Sequence, residues 1–229
     1  CWGGIDAVEA IIGLPKKINC RDLIFGPKIS LAVATSEALG TSQDLEKFAA
    51  NLTNDVFSFN QAGCNAPHNL VIEKGSNFNL KEIANEISKA FEKKSITNAL
   101  QIEPIDKFNL LVQEFIYNSD DGLEIIQSPT NNWNIFIHHN SISKIQDPIF
   151  LRSIFISEVN KVDDLGKFLP ENTQSIGLFC SELRKPKIMK ILSKFYVDRF
   201  PDIGKMSLYQ NPCDGYLPMQ QMVKWISSS

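Results

Sequence analysis

Two capped helices with one short apolar run between them constrain this chain more than any other feature. Thr41-Ser42 opens the first, with Asp44 in its first turn, and Leu45, Phe48, Ala49, Leu52, Val56 and Phe59 recur at helical spacing. Residues 70–72 form the apolar run, residues 70–73 read as a strand, and residues 75–77 read as a turn. Asn79 with Glu82 then makes a capping box, and Leu80, Ile83, Ile87, Ala90 and Phe91 give the second helix one apolar face. Helix, strand, helix in this order points to α/β packing, because each apolar stripe needs a sheet to cover it.

The joint between the first helix and the strand is the stretch Gln61-Ala62-Gly63-Cys64-Asn65. A cysteine at such a turn is held by two regular elements and stays within reach of a substrate, which suits a nucleophile. The same residue also reads as a small core side chain, since free cysteine is among the most buried types. No lysine, arginine or histidine lies within three residues of Cys64, and His68 is four away. His68 reads either as a partner for a thiolate or as a loop residue bonded to backbone. Asn65 and Gln61 are candidates to orient a substrate, or simply turn residues.

Around this centre the alternation continues. Asp6 with Glu9 reads as a capping box for a short helix with Val8, Ile11 and Ile12 on one face, ended by Gly13 and Pro15. Residues 23–25 and 30–34 are short apolar runs that read as short buried strands or strand ends. Residues 104–117 predict a helix, with Ile105, Phe108, Leu111, Val112 and Phe115 apolar. Residues 123–126, 133–137, 149–156 and 175–180 read as strands, with turn chemistry at 129–132. Helices are expected over 162–169, over 186–197 and around Met219, Met222, Val223 and Ile226. The linkers are short, which implies a three-layer αβα domain with its functional loops at one edge of the sheet.

Composition narrows the function classes. Of 229 residues, 43% are hydrophobic and 21% charged, with a formal net charge of -3 and no basic block, so nucleic acid is not an expected partner. No apolar run approaches the roughly 20 residues of a membrane span. The five cysteines are odd in number, far apart and without a Cys-x-x-Cys pair, which argues against a zinc site or a disulfide scaffold and suits a cytoplasmic protein. The three histidines lack metal-ligand spacing, so no metal is expected. Gly3-Gly4 before a helix reads as a tight turn or as a place for a phosphate at the helix N-terminus.

Four ordered stretches carry a resemblance. They are Trp2-Gly3-Gly4 with its helix, Phe25-Gly26-Pro27-Lys28-Ile29-Ser30, Asn60-Gln61-Ala62-Gly63-Cys64, and Asp214-Gly215-Tyr216-Leu217-Pro218 with Val223-Lys224-Trp225. Gln174-Ser175-Ile176-Gly177 is a further anchor. Together they resemble the acyl-CoA reductases of the bacterial bioluminescence type, within the aldehyde dehydrogenase superfamily. The resemblance implies an aldehyde dehydrogenase-like catalytic domain over residues 26–229. It implies that residues 1–25 are the last piece of a Rossmann-type cofactor domain whose larger part precedes this chain, so that the chain alone is expected to be inactive. Cys64 is then the catalytic nucleophile, Gly3 and Gly4 border the cofactor pyrophosphate, and Phe25 and Gly26 border the nicotinamide.

The implied reaction reduces an acyl-CoA, or an acyl-carrier protein thioester, to an aldehyde with NADPH, or with NADH, through a thioester on Cys64. A homo-oligomer or a complex with an acyl-activating enzyme is a further implication. The rivals are reduction of an acyl phosphate and a non-catalytic interaction protein. Two departures from the wider superfamily stand out. Ile24 occupies the position of the glutamate that activates hydrolytic water, so the acyl-enzyme lacks that base. Cys213 stands where a histidine often precedes the C-terminal Asp-Gly.

Overall fold

The computed structural model describes residues 1–118, 122–213, 215–224 and 226–227. Asp214 and Trp225, quoted above, lie outside the described residues. Six strands form one sheet in the order β3-β4-β5-β2-β1-β6. They are β1 (Ile29–Ala34), β2 (Pro67–Glu73), β3 (Leu123–Gln127), β4 (Asn134–Ser141), β5 (Ser153–Val159) and β6 (Thr173–Phe179). All neighbours are parallel except β3 and β4, a hairpin across the expected 129–132 turn. The inner strands carry short continuous apolar runs, at 31–34, 70–72, 135–137 and 154–156, because both faces are covered there. Every residue of β2 is buried.

On one face lie α2 (Ser42–Phe57) and α3 (Leu80–Thr97), whose Leu45, Phe48, Leu52, Ile83, Ile87 and Phe91 meet Ala32, Leu70 and Ile156 of the sheet. Both helices start at capping boxes: Asn79 with Glu82 as its sequence predicts, and Thr41 with Asp44, where the sequence shows a cap and a first-turn acid. On the other face, the 3-10 helix Val162–Phe168 and α5 (Lys185–Leu192) cover Leu31, Val33, Ile176 and Leu178. Helices on both faces of the sheet give the expected three layers.

Several expectations are corrected. α1 (Ile5–Ile12) is capped by Gly4 with no side-chain hydrogen bond; Asp6 lies inside the helix and makes no capping box. Residues 23–25 contribute a single bridge, Trp2 to Phe25, and no strand. Phe59 lies off the apolar face of α2: the helix ends at Phe57, and Phe59 is 78% exposed with φ 50°. β5 begins at Ser153, because Phe150, Leu151 and Arg152 are left-handed. The 186–197 helix stops at Leu192, and the closing helix α6 (Pro218–Gln221) is one turn, with Met219, Met222, Val223 and Ile226 exposed. α4 (Pro104–Asn118) forms as predicted, but Ile105, Phe108, Leu111 and Phe115 face outward.

Candidate active site

Cys64 is exposed. It sits second in a four-residue turn closed by the Ala66 N–H donating to the Gly63 carbonyl at 2.9 Å. Among the described residues its own N–H finds no acceptor. The turn leads directly into β2, so the thiol stands at the amino-terminal rim of the parallel strands. Open α/β sheets usually bind ligands at the carboxyl rim. Here the carboxyl rim is filled by a charge cluster instead. Arg184 donates to Glu37 at 2.6 Å and to both Glu73 oxygens at 2.6 and 2.8 Å, while the N–H groups of Ser36 and Val162 donate to Glu73. Burial pushes the Glu73 carboxyl up, but these donors outweigh it and hold it at about 2.

The hook before the turn is built from contacts distant in sequence. Phe59, Asn60 and Gln61 have φ of 50°, 51° and 67°, each in the left-handed region. The Asn60 carboxamide oxygen accepts from Arg152 Nε at 3.1 Å and Nη2 at 2.6 Å, and the guanidinium lies 4.1 Å over the Phe57 ring. Gln61 is fully buried and donates to the Pro67 and Ser153 carbonyls at 2.7 and 2.9 Å while accepting from the Ser153 N–H at 2.9 Å. Gln61 therefore acts as a strut between the starts of β2 and β5, with its carboxamide taken up by backbone.

Asn65 Nδ2 donates to the Met206 carbonyl at 3.1 Å. A Cβ on Gly63 would come within 2.6 Å of the Asn65 carboxamide, so glycine is needed for that side chain to fold back. Met206 is in turn held by Asp55, whose carboxylate accepts from the N–H groups of Gly204 and Met206. Burial pushes the Asp55 carboxyl up to about 6 despite those donors.

His68 does not serve Cys64 as a charged partner. It is 2% exposed, packs edge-on against Phe150 at 5.0 Å, and its Nδ1 has no hydrogen-bond partner. Burial drives its imidazole down to about 4, so it is neutral at pH 7. Cys180 is a poor alternative nucleophile, because burial pushes its thiol up to about 11. Among the described residues no cluster of histidine, cysteine and carboxylate side chains is arranged for a metal. On the same rim, a cleft of about 630 Å³ opens between α4 and residues 147–151, with Leu110, Tyr117, Ile149 and Phe150 among its walls.

Gly3, Gly4, Phe25 and Gly26 form a second group. The Gly3 N–H donates to the Phe25 carbonyl at 3.2 Å, and Trp2 stacks on Phe25 with centroids 4.3 Å apart. Tyr216 meets the same ring edge-on at 5.8 Å, which brings the C-terminal motif to this segment. Cys213 pairs its backbone with Tyr216 in a turn. Among the described residues no hydrogen bond joins this group to the 63–66 turn; Phe25 and Gly26 lead into β1, and β1 is what touches Cys64.

Residues 1–225 match the family of acyl-CoA reductases (LuxC). The chain belongs to that family. No curated protein matches it. Among solved structures it is similar to a mutant of proline utilization A from Bradyrhizobium japonicum, with TM-score 0.60 and 12% identity over 88% of this chain and 22% of that one. It is also similar to an indole-3-acetaldehyde dehydrogenase of P. syringae, with TM-score 0.55 and 12% identity over 78% and 38%. A 1-pyrroline-5-carboxylate dehydrogenase from Thermus gives TM-score 0.52 and 10% identity over 79% and 37%. At this identity the likeness speaks for the fold, which is that of the aldehyde dehydrogenases. The chain spans less than two fifths of each of these proteins.

Proposed function

We propose that this acyl-CoA reductase family member converts an acyl thioester, on coenzyme A or on a carrier protein, to an aldehyde with NADPH, through a thioester on Cys64. The observation that carries this is the exposed Cys64 thiol at a turn whose cysteine N–H is unpaired among the described residues. Cys64 Sγ, as thiolate, attacks the thioester carbonyl, and the developing oxyanion lies where that N–H can donate to it. The C–S bond to the carrier breaks, the carrier thiolate leaves with the electron pair, and the acyl group stays on Cys64. A bound reduced nicotinamide supplies a hydride. Cys64 Sγ then takes back the C–S electron pair as the aldehyde departs. Ile24, with no proton acceptor, leaves the acyl-enzyme without a base for water at that position.

We assign residues 1–25 to a cofactor-binding unit and residues 26–229 to the catalytic unit. The fit of a dinucleotide is supported by the uncapped start of α1, where a Cβ on Gly4 would meet nothing within 4 Å and free N–H groups are open to a phosphate. The Trp2–Phe25 stack beside it suits a planar ring, and Gly26 is likewise open on its Cα side. Trp2, Ile5 and Ile12, each more than half exposed, give this segment an open apolar surface. The cleft beside α4 offers the acyl chain a wall of Leu110, Ile149 and Phe150.

In the full-length protein, Cys64→Ser is expected to abolish aldehyde formation from acyl-CoA, and mass spectrometry of the native enzyme should find the acyl adduct on Cys64. Retained turnover, or an adduct elsewhere with Cys64 untouched, would reject the reading. Oxidation of NADPH with acyl phosphate but not with acyl-CoA would move the substrate class to acyl phosphates. Comparing NADH under the same conditions fixes the donor.

A further inference from the structure

We propose that Ser30 is a positioning residue for the Cys64 nucleophile, an inference that rests on Cys64 being the acyl acceptor. Ser30 lies at the amino end of β1 and is 1% exposed. Its Oγ donates to the Cys64 carbonyl at 2.7 Å and accepts from the Ser175 N–H at 3.2 Å. The residues are 34 and 145 positions away, so the contact is made by the fold alone.

The sheet is irregular at this point on both sides of β1. Against β2 the pairing runs Ser30 to Pro67 and then Leu31 to Asn69. Against β6 it runs Ile29 to Thr173 and then Ser30 to Ser175. Each neighbour thus carries one extra residue, and β-bulges of this kind re-aim a strand end and interrupt its ladder. At this irregularity the Ser175 N–H donates to a side-chain hydroxyl. That hydroxyl has one proton to give, and it gives it to Cys64.

A carbonyl and the side chain of one residue share a Cα. Holding the Cys64 carbonyl to β1 therefore fixes the plane of the Cys64–Asn65 peptide, and the Asn65 bond to Met206 fixes the next side chain. Between them the two tethers set where Sγ and the cysteine N–H point. Both must converge on one carbonyl carbon and its oxygen for acyl transfer, and misplacement of about 1 Å in such a geometry costs on the order of a hundredfold. Alkylation of the same thiol by iodoacetamide needs access but no oxyanion donor.

The test uses the full-length protein and its Ser30→Ala and Ser30→Thr variants. Single-turnover acylation of Cys64 is followed with octanoyl-, dodecanoyl- and hexadecanoyl-CoA, alongside iodoacetamide alkylation and thermal unfolding. Ser30→Ala is expected to acylate roughly ten- to a hundredfold more slowly at saturating acyl-CoA. Its half-saturating concentration and alkylation rate should stay within about threefold, and Ser30→Thr, which keeps the hydroxyl, should recover most of the rate. Wild-type acylation rates in Ser30→Ala overturn the inference. So does an equal loss of alkylation that Thr fails to restore, which would mark general loosening. If no acyl-CoA labels Cys64 in the wild-type protein, the nucleophile reading fails first and this one falls with it.

Discussion

Phe59, Asn60 and Gln61 each hold a left-handed backbone, which costs non-glycine residues roughly 1–2 kcal/mol apiece. What offsets it is a set of side-chain bonds to Arg152 and Ser153 at the start of β5. Nothing near Gln61 in the sequence reports those partners, so Asn60 and Gln61 look like turn residues until the fold brings β5 alongside. Ser30 is hidden for the same reason: a serine opening an apolar strand gives no hint that its hydroxyl meets a carbonyl beside the thiol. His68 is the residue whose chemistry is easiest to test. Its imidazole falls to about 4 in the fold from an ordinary 6.5 because it is buried. The unfolded chain therefore binds a proton that the folded chain refuses between those values. Stability drops as pH falls through 6.5 and levels off below 4, by up to about 3 kcal/mol. His68→Leu should lack that part of the loss, since it also removes an unpartnered buried nitrogen. Urea unfolding of both proteins at pH 7 and pH 4.5 reads the difference, and parallel losses would refute the assignment.

The elements divide by how locally they are determined. α2 and α3 are legible because both cap partners sit three residues apart and the apolar stripe is periodic. β2 and β6 are legible as short apolar runs between breakers. The periodicity of α4 identifies a helix correctly but says nothing of what covers its stripe, and Ile105, Phe108 and Phe115 stay exposed. The Val162–Phe168 turn is the opposite case, a short element fixed by a tight contact. A Cβ on Gly166 would lie 2.2 Å from the Phe195 ring. Gly166→Ala should therefore push that ring away and destabilise the protein by about 1–3 kcal/mol. Adding Phe195→Leu should return part of the loss in thermal or denaturant unfolding; a single variant as stable as the parent would show that the ring moves freely.

For the whole molecule, the two rims of the sheet have different tasks. The amino rim carries the thiol, its tethers and the cleft. The carboxyl rim is tied by Arg184 between Glu37 and Glu73. With Glu73 held at about 2 against an ordinary 4.5, its contribution is complete above 4.5 and fades as pH falls toward 2. Arg184→Met would leave the buried Glu73 carboxylate facing only two backbone N–H groups and the Ser36 hydroxyl. The expected cost at pH 7 is about 2–4 kcal/mol, toward the lower figure because the Arg184 side chain is 32% exposed. The deficit should shrink at pH 4, where the unpaired carboxyl takes up a proton; chemical denaturation at both pH values checks this, and a constant deficit would contradict it.

On β6, the last strand in the sheet order, a Cβ on Gly177 would sit 2.4 Å from the Met206 sulfur, and the Met206 carbonyl is what Asn65 holds. A methyl group added in the middle of β6 would thus be felt beside the thiol, through one thioether and one amide. Natural relatives that carry alanine or serine at 177 should consequently carry a shorter or branched side chain at 206, and the two positions should change together across the lineage.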